Sequence, residues 1–206
     1  MKSGNIIIVG VGGQGSLLAS RFLGELFVSL GYDVKLSEVH GMSQRGGSVI
    51  TYVRFGQQVA SPLIDFGEAD YILSFELLEA ARYLPYLRKG GRIIANTQQI
   101  DPMPVITGKQ FYPQNLKEQF ESLGVEADLL DCLSLAGLAG SVKAVNIVLL
   151  GRLSRYFDYP EEIWYQALER VVPPKFLEIN RKAFALGREK APLEEKVNYP
   201  DLRLKP

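Results

Sequence analysis

The stretch Gly10-Val11-Gly12-Gly13-Gln14-Gly15 has the spacing G-x-G-x-x-G. It closes a β-branched run, Asn5 to Gly10, and opens a segment with helical apolar spacing at Leu18, Phe22 and Leu26. In that strand–turn–helix setting, glycines allow a tight turn and let a ligand approach the backbone. The free N–H groups and the dipole at the helix start then favour an anion. A phosphate or pyrophosphate suits such a loop. The plainer reading is that the glycines only let helix and strand pack closely. A nicotinamide site would also need an acid at the end of the second strand, about 20 residues on, and Glu38 lies there.

The stretch after Glu38 is unusual for a dinucleotide binder. Val39-His40-Gly41-Met42-Ser43-Gln44-Arg45-Gly46-Gly47 is rich in glycine and hydrogen-bonding side chains. It runs into a further strand and leaves no room for a crossover helix. It is expected at the carboxyl edge of the sheet, where open α/β folds bind ligands. His40 is the only histidine; with no cysteine or serine elbow near it in sequence, it reads as a loop residue bonded to backbone. Asn96-Thr97 closes a strand on the same edge and suits either a ligand contact or an ordinary turn. Asn146, in an apolar helix, needs a partner if buried, and loop backbone is the expected one. Lys143, one turn earlier, could present a cation at that edge. Glu76 and Glu79 fit helix-dipole partners better than working acids, and Arg82, Arg88 and Lys89 a solvated helix face. No metal-ligand spacing and no catalytic triad is present, so no catalytic residue and no metal is expected on this chain.

Strands alternating with helices must position these residues. Strands are expected at Asn5–Gly10, Asp33–Glu38, Ser48–Phe55, Tyr71–Phe75, Arg92–Asn96 and Val125–Leu130. Helices are expected after Gly15, over Glu76–Leu87 with Gly90-Gly91 as the stop, over Asn115–Ser122 and over Lys143–Arg155. Two more start at Pro160-Glu161-Glu162 and Pro173-Pro174. This predicts an α/β fold: a doubly wound, mostly parallel sheet with helices on both faces and a helical C-terminal part. The first two strands are expected side by side. Residues 1–187 read as one domain. Residues 188–206 are charged and proline-bearing without periodicity, and read as a frayed end or a docking arm.

Composition excludes several function classes. Of 206 residues, 23 are Lys or Arg and 23 Asp or Glu, so no net field draws in nucleic acid or an anionic membrane. No apolar run approaches a membrane span and no basic leader precedes the first strand, so the chain is expected in the cytoplasm. Cys132 is the only cysteine. One thiol cannot ligate an iron–sulfur cluster, and Cys132 reads as a small buried hydrophobe.

GVGGQG, SEVHGMSQRGGSV, a strand ending in NTQ, and KAVNIVLLG, in that order, closely resemble the gamma-domain family of pyruvate and other 2-oxoacid:ferredoxin oxidoreductases, its indolepyruvate branch in particular. The likeness runs from about Asn5 to Gly187. It implies a Rossmann-like domain in an enzyme that decarboxylates a 2-oxoacid, oxidises the product to an acyl-CoA and passes electrons to ferredoxin. It further implies that thiamine diphosphate and the iron–sulfur clusters sit on a larger alpha-type partner subunit, and that this chain helps hold coenzyme A as co-substrate. The residues so implied are Gly10, Gly12, Gly13, Gln14 and Gly15, then Ser43, Gln44, Arg45 and Gly46 with Arg45 as the cation, and Asn96. The alternative from another class is a free-standing Rossmann oxidoreductase using NAD or a flavin. Glu38 favours that reading, and the loop from His40 to Gly47 counts against it. A scaffold with a vestigial loop would have no need of Arg45.

Overall fold

The computed structural model describes residues 3–40 and 47–189. Its central strand, β1 (Gly4–Val11), holds Ile6, Ile7, Ile8 and Val9 with no exposed surface. That accounts for the unbroken apolar run, because the strand is covered on both faces. The remaining strands are β2 (Asp33–His40), β3 (Ser48–Gly56), β4 (Ala69–Ser74), β5 (Leu87–Asn96) and β6 (Glu126–Leu130). The helices are α1 (Ser16–Ser29), α2 (Leu77–Arg82), α3 (Met103–Ile106), α4 (Leu116–Ser122), α5 (Cys132–Ala139), α6 (Val145–Leu153), α7 (Glu161–Val171) and α8 (Leu177–Arg188).

The six strands form one sheet in the order β2-β3-β1-β4-β5-β6. β1, β4, β5 and β6 pair in parallel, while β3 pairs antiparallel with both β1 and β2. The sheet is therefore mixed and mostly parallel, with helices on both faces, as expected. The expected adjacency of β1 and β2 is wrong, since β3 lies between them. The connection after His40 is too short for a crossover helix, so β3 turns back beside β2 and takes the place next to β1. β2 still runs in the direction of β1. The carboxyl ends of β1, β2, β4, β5 and β6 thus share one edge with the start of β3.

Two apolar cores sandwich the sheet. One packs α1, α5, α6, α7 and α8 around Phe22, Phe27, Ile147, Trp164 and Phe184. The other packs α2 and α4 on Ile7, Val9, Ile72, Ile93 and Phe120. In α1 the 3.6-residue period puts Ala19, Phe22, Leu23, Leu26 and Phe27 inward.

Three further expectations need correction. Gly90-Gly91 does not stop a helix. α2 ends at Arg82, and Pro85, in a 3₁₀ turn at Leu84–Tyr86, bars its continuation. Both glycines lie inside β5, where pairing jumps from Ala69↔Leu87 to Tyr71↔Arg92. Gly90, at φ +73°, turns the extra residues out. The segment read as one helix over Lys143–Arg155 is α6 flanked by 3₁₀ turns at Val142–Ala144 and Ser154–Tyr156. α3 and α5 had no counterpart in the sequence reading.

β6 is tied to α6 by one polar cluster. Asp128 accepts from Arg152 Nε and Nη2 at 2.6 and 2.8 Å, and from the Tyr156 hydroxyl at 2.5 Å. Burial pushes the Asp128 carboxyl up, but the Arg152 fork and the Tyr156 hydroxyl outweigh it and hold it below its ordinary 3.8. The folded state therefore binds this proton more weakly than the unfolded chain. The tie stabilises above the unfolded value and is lost as pH falls through the folded one. Asp128→Asn should cost about 1–3 kcal/mol at neutral pH. In urea melts, the gap between variant and wild type should close on acidification below pH about 4. A gap that stays constant through that range would exclude this ionisation as its source.

Candidate functional site

The glycine loop sits where β1 meets α1, and four contacts fix its shape. The Gly12 N–H donates to the Gly47 carbonyl at 2.9 Å. Gln14 folds back so that its Oε1 accepts the Val11 N–H at 2.7 Å, while its Nε2 donates to the Phe75 carbonyl at 3.2 Å. Asn146, at the start of α6, donates from Nδ2 to the Gly15 carbonyl at 3.4 Å. The loop is thus pinned to the start of β3, the end of β4 and α6.

Two of its glycines are obligatory on backbone grounds. Gly13 and Gly15 have φ of +102° and +90°, where a side chain is strained. A Cβ on Gly15 would also lie 2.7 Å from Asn146 Nδ2. Gly15→Ala should therefore cost about 1–3 kcal/mol, combining left-handed strain with the lost Asn146 contact. Thermal melts check this, and an unchanged midpoint would mean the loop is free to relax.

Past Gly15, α1 begins with no side-chain cap and no acid in its first turn. Its first N–H groups therefore have no side-chain partner at the cap, and the positive end of its dipole lies close in sequence to the exposed Gly13. An anion fits there. Next to it a cleft of about 310 Å³ is lined by Leu18, Lys143, Ala144, Asn146, Phe176 and Ile179 among others. Lys143 is exposed on it, so the cation expected at this edge is present.

The structure brings Gly10, Gly12, Gly13, Gln14 and Gly15 together as one turn. Ser43, Gln44, Arg45 and Gly46 lie outside the described residues. Their neighbours on either side are placed: His40 pairs with Val49 at the end of β2, and Gly47 holds Gly12. The Gln14 side chain is engaged at both ends in holding the loop. Asn96 departs from its expected role. It has no exposed surface; its Nδ2 donates to the Phe75 carbonyl at 3.2 Å and its Oδ1 accepts the Cys132 N–H at 3.1 Å. It ties the ends of β4 and β5 to α5 from inside the protein. The Thr97 N–H is likewise used, on the Leu130 carbonyl. Asn146 matches the expected bond to loop backbone. Cys132 has no exposed surface, and burial pushes its thiol well up, which makes it inert. Among the described residues no cluster of His, Cys, Asp and Glu suits a metal ion.

The sequence reading missed Phe75, whose carbonyl accepts from both Gln14 and Asn96. A backbone acceptor carries no sequence signal. It also missed the N-cap of α5, Asp131, which accepts the Ser134 N–H. The D-x-x-S spacing was the available sign.

A mostly parallel sheet with this loop at its carboxyl edge defines the class of Rossmann-like α/β proteins. The chain belongs to the pyruvate ferredoxin/flavodoxin oxidoreductase family, whose model matches residues 5–190. It is 45% identical over 192 residues to the indolepyruvate oxidoreductase subunit IorB of Thermococcus kodakarensis, across 91% of this chain and 95% of that one. It is 36% identical over 191 residues to the subunit of the same name from Archaeoglobus fulgidus, across 91% and 94%. The gamma subunit of a keto/oxoacid ferredoxin oxidoreductase from Geobacter sulfurreducens superposes with a TM-score of 0.66 at 24% identity, covering 89% of this chain and 95% of that chain. A 2-oxoglutarate:ferredoxin oxidoreductase from Magnetococcus marinus, solved with 2-oxoglutarate, coenzyme A and succinyl-CoA bound, superposes at 0.64 and 20% identity. There the match covers 91% of this chain and 31% of the longer one. These two structures share its fold.

Proposed function

We propose that this chain is the smaller subunit of an indolepyruvate-type 2-oxoacid:ferredoxin oxidoreductase and helps hold coenzyme A. The assembled enzyme decarboxylates an arylpyruvate oxidatively, forms the acyl-CoA and passes the electrons to ferredoxin. The observation that carries the coenzyme A reading is the uncapped start of α1 behind a pinned glycine loop. Coenzyme A is a phosphate-rich ligand, and free N–H groups at a helix start suit a phosphate. We assign Arg45 as the cation for that phosphate, and Ser43, Gln44 and Gly46 as further binding residues.

Thiamine diphosphate and the iron–sulfur clusters belong to a larger alpha-type partner. The residues of this chain do not fit a cluster, because its one cysteine is buried. We also propose the 188–206 segment, of which residues 190–206 lie outside the described ones, as a docking arm on that partner. Among the described residues no helix is long and apolar enough to cross a membrane, and we assign the complex to the cytoplasm. The position of β3 speaks against NAD. Glu38 stands two strands from β1, about 10 Å away, and Thr51 donates to its carboxylate at 3.3 Å. It is too far from the glycine loop to hold the ribose of a dinucleotide seated there.

The test is to co-purify the chain with its partner from the native cell and titrate coenzyme A and NAD into both the free chain and the complex. We expect a larger subunit with iron–sulfur absorption, coenzyme A binding to the complex, and no binding of NAD. Tight NAD binding to the free chain, or 2-oxoacid oxidation by it alone, would overturn the reading.

A further inference from the structure

Beside the glycine loop, at the start of α2, two carboxylates are buried that the proposed function does not use. Glu76 is 1% exposed and fully engaged. One of its oxygens accepts the Glu79 N–H at 2.9 Å; the other accepts the Ile100 N–H at 3.0 Å and the Tyr112 hydroxyl at 2.6 Å. That is a helix cap and a strut. Glu79 is 4% exposed and differs in what it holds. One oxygen meets the Arg82 guanidinium at 3.1 Å, and the other accepts the hydroxyl of Ser48, itself 3.2 Å from the Tyr83 hydroxyl. Burial pushes the Glu79 carboxyl above its ordinary 4.5 and nearby Glu76 adds to this, while Ser48 and Arg82 oppose it. A buried acid is costly unless it is well bonded.

Ser48 is the first residue of β3 and pairs with Val11 at the end of β1. The carbonyl just before it, that of Gly47, accepts the Gly12 N–H. Glu79 therefore grips the residue next to the acceptor that seats the first turn of the glycine loop. Gln14 and Asn146 hold the loop from β4 and α6; Glu79 holds it from the β3 side.

We propose that Glu79, acting through the Ser48 hydroxyl, is a positioning residue that sets the glycine loop for the phosphate it binds. The proposal rests on the reading that coenzyme A occupies that loop. With the Ser48 bond lost, Gly47 and Gly12 shift together, and N–H groups aimed at the anion go out of line.

The test uses the assembled complex and compares Glu79→Gln, Glu79→Leu and Ser48→Ala. Glutamine keeps an acceptor for Ser48 but loses the charge facing Arg82. Leucine loses both, and Ser48→Ala loses only the hydroxyl. Ser48→Ala and Glu79→Leu should each raise KM for coenzyme A about fivefold, the factor that one lost hydrogen bond gives. KM for the 2-oxoacid, and turnover with an artificial acceptor where coenzyme A is not needed, should stay put. Glu79→Gln should remain near wild type. If Gln and Leu raise KM equally, the Arg82 pair is what matters and the proposal fails. It fails too if Ser48→Ala leaves KM for coenzyme A unchanged, or if every kinetic constant falls together with the melting temperature. Should Glu79→Leu not fold, Ser48→Ala decides alone. Arg45→Ala, measured alongside, tests the underlying reading separately: no effect there removes the coenzyme A assignment whatever Glu79 does.

Discussion

In the assembled oxidoreductase, Arg45→Ala will weaken coenzyme A binding by about one to two powers of ten, the factor that one lost charge-assisted hydrogen bond gives. The layout of the sheet edge is the reason. The glycine loop leaves β1 at its carboxyl end, and α1 begins uncapped just beyond it. An anion there has backbone N–H groups on one side and needs a cation on the other. The residues flanking the Arg45 segment sit on the same edge: His40 ends β2, and the Gly47 carbonyl takes the Gly12 N–H. An arginine offers a phosphate a planar two-pronged donor, so Arg45→Lys should recover only part of the affinity. Isothermal titration of the complex, or KM for coenzyme A, measures the effect. Oxidation of the 2-oxoacid with an artificial acceptor, where coenzyme A is not required, should change much less. If the alanine variant keeps its coenzyme A affinity, Arg45 is a surface charge and the site lies elsewhere.

Much of this site was legible because its signals are local. Glycines spaced after a β-branched run announce their turn wherever the strand ends up in the sheet. Pro160-Glu161-Glu162 opens α7 for the same local reason. Strand order is not local. The short connection after His40 does say that β3 must turn back, but nothing near it says that β3 will claim the place beside β1. Gly90-Gly91 shows how a local signal misleads. A glycine pair looks the same after a helix as in a bulged strand, and Pro85 was the real stop. α5 was invisible for another reason: Cys-Leu-Ser-Leu-Ala-Gly-Leu-Ala has no polar face, so it carries no helical period to read. Asn96 is the case at the site itself. A polar residue at a strand end reads alike whether it meets a ligand or ties loops from within, and only its burial separates the two.

The same substitution, glycine to alanine, should have opposite signs at different helical positions. At Gly151 in α6 a Cβ would lie 2.1 Å from the Phe184 carbonyl oxygen, and at Gly187 in α8 it would lie 2.0 Å from that of Val148. The two helices cross backbone against backbone, and each glycine makes room for a carbonyl of the other helix. A flexible side chain could swing away, but a carbonyl in a hydrogen-bonded helix cannot. Alanine favours a helix over glycine by about 1 kcal/mol. Overpacking a core against a rigid neighbour costs about 1–3 kcal/mol, and more where backbone must move. The clash should win, so Gly151→Ala and Gly187→Ala should each lose about 2 kcal/mol and melt roughly 4–8 °C lower. Gly137, in α5, has nothing within 4 Å of its Cβ position; there alanine should be neutral or stabilise by up to about 1 kcal/mol. The double variant at the crossing should cost less than the two single costs added, because the first Cβ already parts the helices. The crossing also bears on function, because the first turn of α6 carries Asn146, which holds the Gly15 carbonyl. Gly187→Ala should therefore loosen the glycine loop from a distance and raise KM for coenzyme A in a protein that still folds. If Gly151→Ala and Gly187→Ala melt with wild type, the helices can part freely, and the close crossing is not what fixes α6 against the loop.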